Sequence, residues 1–199
     1  MEIGTGASCI LPLLGNFVYG WEMVASEANL TAYASALKNR ARIRSERIDV
    51  RKVDLSAAPL EFLRAADGNF CGLVCNPPFY EDEASMSVNM QPGCSVMIHE
   101  GTTEGGEVGF LKKIAESSKL VENSICVLTS MLGHKASVEE ISNYLKLQGA
   151  SFILCTRFFQ GRTIRYGVAW SWDICHLPAR FQDVLLDLRT HTRRSRRTT

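Results

Sequence analysis

Asn76-Pro77-Pro78-Phe79 follow an apolar run, Phe70-Cys71-Gly72-Leu73-Val74-Cys75, that reads as a buried strand. Two consecutive prolines fix the backbone into a corner at the strand's end. The Asn76 side-chain oxygen and the Pro77 carbonyl then stand as two preset acceptors for both hydrogens of a planar NH2 group. The chemistry this suits is methyl transfer to an exocyclic aromatic amine. Such an amine is a poor nucleophile because its lone pair is delocalised into the ring. Bonding both hydrogens draws the lone pair out of plane and aims it at the methyl carbon. Because the prolines hold the carbonyl beforehand, no reorganisation is needed when substrate arrives. Phe79 offers a face on which a base can stack, once that base has left its helix or arrived single-stranded. Displacement at a sulfonium methyl requires neither a metal nor a covalent intermediate. The bland alternative is a rigid turn with one core phenylalanine, since Asn-Pro is common in turns.

A glycine turn near the start, Gly4-Thr5-Gly6, supplies the second half of such a site. Glycines after a first strand let a ligand approach the backbone closely, and the following helix offers its N-terminal amides. Two ligand classes use this device, dinucleotides and S-adenosylmethionine. The dinucleotide fingerprint needs a third glycine, and that position is Cys9. Glu27 ends the next strand about 20 residues on, where a carboxylate can accept both ribose hydroxyls. Asp54 ends the third strand, near where an adenine ring would lie. These strand ends share the edge at which such sheets bind ligands.

The elements that position these residues alternate between strand and helix. Met1–Ile3 reads as the end of a strand, and a helix starts near Ser8. Trp21–Ser26 is a second strand and Leu30–Arg42 a helix. Ile48–Val53 is a third strand, Leu60–Ala66 a short helix, and Phe70–Cys75 the fourth strand. Tyr80–Gly105 has loop composition. Glu107–Ser118 is amphipathic. Ser124–Thr129 is a fifth strand. A capping box at Ser137–Glu140 opens a helix to Gln148, which Gly149 ends. Ser151–Phe159 and Ile164–Ser171 form a closing hairpin around Gly161-Arg162-Thr163. This pattern specifies an α/β layered sheet with an antiparallel edge. Phe181, Val184, Leu185 and Leu188 suit a further amphipathic helix.

Composition narrows the setting. The 199 residues, 46% apolar and 22% charged, suffice for one globular domain. Net charge is +1, yet no Lys or Arg lies between Arg64 and Lys112, while Arg193, Arg194, Arg196 and Arg197 crowd the C-terminus. That tail reads as a solvated end, with phosphate affinity or nuclear import as the functional alternative. The 7 cysteines are odd in number and form no Cys-x-x-Cys pair, and the four histidines lack ligand spacing. Reduced core cysteines, no metal site and no membrane association are expected, with the nucleus or cytoplasm as compartment.

Five blocks give the chain a family likeness: Ile3–Ile10 with Pro12–Gly15, Cys75–Phe79, Glu104-Gly105-Gly106-Glu107, Met131–Lys135, and Gln160–Arg165 running into Ala169-Trp170-Ser171. In their order and spacing the chain resembles the RNA adenosine N(6)-methyltransferases that include methyltransferase-like 16 and the bacterial ribosomal enzyme RlmF. The likeness runs from residue 1 to about 172. It implies a Rossmann-like class I methyltransferase sheet, mostly parallel and with its first strand cut short. It also implies S-adenosyl-L-methionine as cofactor and N(6)-methyladenosine formation in structured RNA, whether spliceosomal small nuclear RNA, messenger RNA or ribosomal RNA. By matching motifs, Gly4, Thr5 and Gly6 line the donor, with Asn76 beside it, and Glu27 holds its ribose. Asn76, Pro77, Pro78 and Phe79 hold the target adenine. Lys135, Arg162 and Arg165 match basic positions suited to phosphate.

The departures from the family are equally specific. Family members carry a segment ahead of the glycine motif that helps bind RNA. The loop after Phe79, basic in eukaryotic relatives, reads Tyr80-Glu81-Asp82-Glu83 here. Residues 173–199 diverge and form a basic tail. Two alternatives to RNA methylation stay open: a catalytically impaired RNA-binding or regulatory relative, and a protein glutamine methyltransferase, since the Asn-Pro-Pro-aromatic motif is shared with that class.

Overall fold

The computed structural model describes residues 1–77, 105–161 and 163–173. Pro78, Phe79, the segment from Tyr80 up to residue 104, Arg162 and the tail beyond residue 173 lie outside them, as does the expected helix around Phe181–Leu188. A seven-stranded sheet runs in the order β3-β2-β1-β4-β5-β7-β6. Its strands are β1 (Glu2–Ile3), β2 (Met23–Glu27), β3 (Ile48–Lys52), β4 (Leu73–Cys75), β5 (Leu128–Leu132), β6 (Phe152–Gln160) and β7 (Thr163–Ser171). The first five pair in parallel, and β7 returns antiparallel between β5 and β6. From β1 the chain builds outward to β2 and β3, then restarts on the other side with β4 and β5. The β1/β4 junction is therefore the switch point of the sheet, where open α/β sheets leave a crevice at their carboxyl ends.

Helices α1 (Ile10–Tyr19), α2 (Leu30–Arg42), α3 (Gly106–Lys119) and α4 (Lys135–Leu147) pack with the strands through two separate apolar clusters. Asn29 caps α2, its side chain accepting the Ala32 N–H at 2.9 Å. Ala32 and Ala36 keep α2 close to the sheet, and Tyr33 and Leu37 pack with Cys9, Met23, Ile48 and Val50. The larger core sets Leu111 and Ile114 of α3 and Ile141 and Leu145 of α4 against Leu128, Leu132 and Trp170. Each aliphatic side chain so buried contributes roughly 1.5–3 kcal/mol.

Several boundaries differ from the sequence expectation, each for a tertiary reason. The fifth strand begins at Leu128, not Ser124, since only Ile125 of the earlier stretch bridges β4's approach, at Phe70. Expected as a helix, Leu60–Ala66 forms turns that lead into a 3-10 turn at Ala65–Asp67. Here Arg51, a buried residue of β3, draws the chain in. Its guanidinium donates to both Asp67 carboxylate oxygens at 2.6 Å and to the Phe62 carbonyl at 2.9 Å. The fourth helix starts two residues ahead of the Ser137 capping box, with His134 at its N-cap.

The Arg51–Asp67 pair is bidentate and shielded, and breaking one partner strands the other. Asp67→Asn is expected to lower unfolding free energy by about 3 kcal/mol in urea titration. Its hydrogen bonds from Arg51 hold the Asp67 carboxyl down at about 2, below its ordinary 3.8. With the folded pKa depressed, the pair's contribution is complete above pH 4 and lost as pH falls toward 2. The variant's deficit should therefore shrink over that acid window.

Candidate active site

The glycine turn leaves β1 with Gly4 and Gly6 at φ +71° and +64°. L-side chains adopt this backbone only with strain. Its amides are anchored on β2. Gly4 and Thr5 N–H both donate to the Ser26 carbonyl, at 3.1 and 2.9 Å. Gly6 N–H donates to Glu27 Oε2 at 2.8 Å, and Asn29 N–H to Glu27 Oε1 at 2.7 Å. Glu27 is only 6% exposed. Each of its oxygens thus holds one backbone amide and keeps a second lone pair for a hydroxyl. Glu27 is a fastener of the turn as well as a candidate ribose ligand, and the first of these roles was not foreseen from the sequence.

Asp54 stands close by, since Val53 N–H donates to the Glu27 carbonyl at 3.0 Å. Its own Oδ1 accepts the Ser56 N–H and hydroxyl at 2.9 and 2.8 Å. These bonds, from the Ser56 amide first, hold the exposed Asp54 carboxyl below its ordinary range.

On the other side of β1, Ile3 pairs in register with Cys75. The next residues on each strand, Gly4 and Asn76, therefore face one another across the switch point. Asn76 is exposed, while the ring of Pro77 is fully buried. The corner is thus anchored through its proline and open at its amide. Lys135 begins α4, three residues past Leu132, and is exposed. Leu132 pairs with Tyr166, so Arg165, half-buried, lies at the same edge. Of the expected site residues, Gly4, Thr5, Gly6, Glu27, Asp54, Asn76, Pro77, Lys135 and Arg165 all come to the carboxyl edge of the sheet.

Two acids that motif matching gave no separate role shape this edge. Glu107, 3% exposed, accepts the Gly133 N–H at 2.6 Å and the His134 N–H at 3.2 Å. It fixes the entry to α4 and with it Lys135, tying the Glu-Gly-Gly-Glu block to the Met-Leu-Gly-His-Lys block. Glu2, 3% exposed, lies in β1 two residues before the turn. The buried Thr5 Oγ1 lies beside it, close enough to act on the carboxyl, but neither it nor Glu2 Oε2 reaches a well-aligned hydrogen bond among the described residues. Burial pushes the Glu2 carboxyl up to about 7. The Thr5 hydroxyl and the amino terminus oppose the shift, and the Glu27 charge adds to it. An acid placed inside an apolar strand just before the glycines was the signal for it.

These groups fit a donor that is cationic and carries ribose hydroxyls: a buried acid below the turn, and a carboxylate with spare lone pairs beside it. Among the described residues, no group of three or more His, Cys, Asp or Glu could hold a metal ion, and no helix is long and apolar enough to cross a membrane.

A family model described as RNA methyltransferase matches residues 1–173. The chain belongs to this RNA methyltransferase family. The Xenopus laevis RNA N(6)-adenosine-methyltransferase mettl16 is 36% identical over 185 residues, covering 86% of this chain and 34% of the relative. The chain thus spans about a third of the length of that curated relative. The hMettl16 catalytic domain in complex with MAT2A 3'UTR hairpin 1 superposes with a TM-score of 0.78 at 34% identity, over 89% of this chain and 65% of that one. The N-terminal domain of human METTL16 in complex with SAH gives 0.71 at 33%, over 86% and 60%. The fold is the Rossmann-like methyltransferase fold of these domains.

The Glu2 environment yields a pH prediction. A carboxyl at about 7 in the folded chain, against 4.5 ordinarily, binds more protons folded than unfolded between those values. Stability contributed by its protonated form is present below pH 4.5 and lost as pH rises through 7. The ceiling on this loss is about 3 kcal/mol. Denaturant unfolding at pH 5 and pH 8 should show wild type losing ground relative to Glu2→Gln at the higher pH. Parallel behaviour of the two chains would contradict the assignment.

Proposed function

We propose that residues 1–172 form a methyltransferase domain that transfers a methyl group from S-adenosyl-L-methionine to the exocyclic amine of adenosine in structured RNA. Residues 173–199 are a basic tail outside it. The observation that carries this reading is the in-register pairing of Ile3 with Cys75, which faces the glycine turn with the Asn76-Pro77 corner. Family membership and the relatives' adenosine chemistry support the choice of substrate class.

The donor, once bound, supplies a methyl group made electrophilic by its sulfonium. Gly4 and Gly6 give it room against the backbone, and the free lone pairs of Glu27 accept ribose hydroxyls. Glu2 places unneutralised acid near the donor's positive end, where it opposes the cost of burying that cation. Asp54 borders the adenine position. On the acceptor side, the Asn76 oxygen and the Pro77 carbonyl take the two amine hydrogens and turn the lone pair toward the methyl carbon. Pro78 stiffens this corner and Phe79 stacks on the base. Asn76 and Pro77 carry no base, so the proton shed after transfer passes to solvent. Lys135 and Arg165, at the same edge, and Arg162 bind RNA phosphates, positioning the strand without reading its sequence. The RNA is a spliceosomal, messenger or ribosomal species, and the chain works in the nucleus, the cytoplasm or both.

Mass spectrometry of nucleosides from structured RNA incubated with the protein and isotopically labelled donor tests this directly. Labelled N(6)-methyladenosine is the expected product. Asn76→Ala should cut transfer by about 100-fold or more, as loss of a preorganised polar contact does, while donor affinity stays near wild type. Wild-type turnover by that variant would remove the amine acceptor from the mechanism. Phe79→Ala should weaken RNA binding more than donor binding. Labelled glutamine in a peptide, with no label in RNA, would move the chain to protein methylation.

A further inference from the structure

At the end of the sheet away from the glycine turn, β4 and β5 approach each other before regular pairing begins. Phe70 N–H donates to the Ser124 carbonyl at 2.7 Å, and Cys126 N–H donates to the Phe70 carbonyl at 3.0 Å. This bridge makes Phe70 and Ile125 partners, and three residues on Leu73 partners Leu128. Cys71 and Cys126 each follow a bridge partner, at a bend in their own segment, between these two paired points. Ile125 is in the core and Phe70 packs against it. Cys71 is exposed and Cys126 half-buried. Gly72 lets the strands close up, for a Cβ there would meet Val127 Cγ1 at 3.3 Å. The paired residues on either side have Cα atoms about 5 Å apart, which keeps the two cysteines between them near the range of about 4.4–6.8 Å that a disulfide spans. The charge of Cys71 adds to the larger effect of burial in raising the Cys126 thiol, as expected of close neighbours.

We propose that Cys71 and Cys126 form a modification site, a dithiol that a peroxide converts reversibly to a disulfide. The exposed Cys71 sulfur attacks a peroxide oxygen. The O–O bond breaks, water leaves and a sulfenic acid remains on Cys71. The Cys126 sulfur then attacks that sulfenic sulfur. The S–S bond forms, the S–O bond breaks and a second water departs with the Cys126 proton. Two thiols are oxidised and one hydrogen peroxide is reduced to two waters. Cys9 and Cys75 are fully buried and take no part. Cys155 is exposed, with the Ser142 hydroxyl 3.2 Å from its sulfur and no facing thiol on β7, where it pairs with Val168. It serves as an internal control.

The full chain, treated with hydrogen peroxide, alkylated and mapped by fragmentation mass spectrometry, decides the matter. A Cys71–Cys126 linked peptide lighter by two hydrogens, lost on dithiothreitol treatment and absent from Cys71→Ser, is expected. Both thiols remaining alkylatable under conditions that oxidise Cys155 would overturn the proposal. So would a link from Cys71 to any other cysteine.

Discussion

The structure rests on a carboxylate shared by two backbone amides. Glu27 accepts from Gly6 on one side and Asn29 on the other, so a single side chain joins the glycine turn to the start of α2. Around it, parallel pairing of β2, β1 and β4 brings Ser26, Ile3 and Cys75 level. The next residues, Glu27, Gly4 and Asn76, then emerge at one edge without further instruction. A slip of one residue in β1 would turn Glu2 out of the sheet's interior and separate the turn from the corner.

Three buried acids line this edge, and their different fates explain its electrostatics. The carboxylates of Glu27 and Glu107 each receive two amides, so their burial is compensated. Glu2 keeps an oxygen without a partner among the described residues, and its raised pKa follows. Burial favours the protonated form of this acid, so its ionisation costs stability as pH rises through about 7 and is opposed by any nearby positive charge. The fold's own stability is secured elsewhere, by the apolar cluster around Trp170 and by the shielded Arg51–Asp67 pair.

Much of this was legible in the sequence. Alternating elements gave the layered sheet, and the two closing runs gave the hairpin. Gly149 ends its helix as expected, at φ +86°. The glycine turn and the Asn76 corner are local chemistry, readable from residue types alone. What escaped were bonds between distant segments. Nothing near Glu107 announces that it holds Gly133 and His134, 26 and 27 residues away. The Ser137 capping box was locally sound, yet α4 begins earlier because Glu107 already serves the amides ahead of it. Ser124–Thr129 had strand composition throughout, but the sheet takes it up regularly only from Leu128. The basic positions were found only through family likeness, since exposed Lys and Arg carry no local pattern.

The central physical claim is that the glycine turn and the Asn76 corner are two walls of one ligand site. Amide NMR of the labelled chain during titration with S-adenosylhomocysteine tests it most directly. The account predicts that the Gly4, Gly6 and Asn76 resonances all move and saturate along a single binding curve. Shifts at the glycines that leave Asn76 untouched, or separate curves for the two, would contradict it.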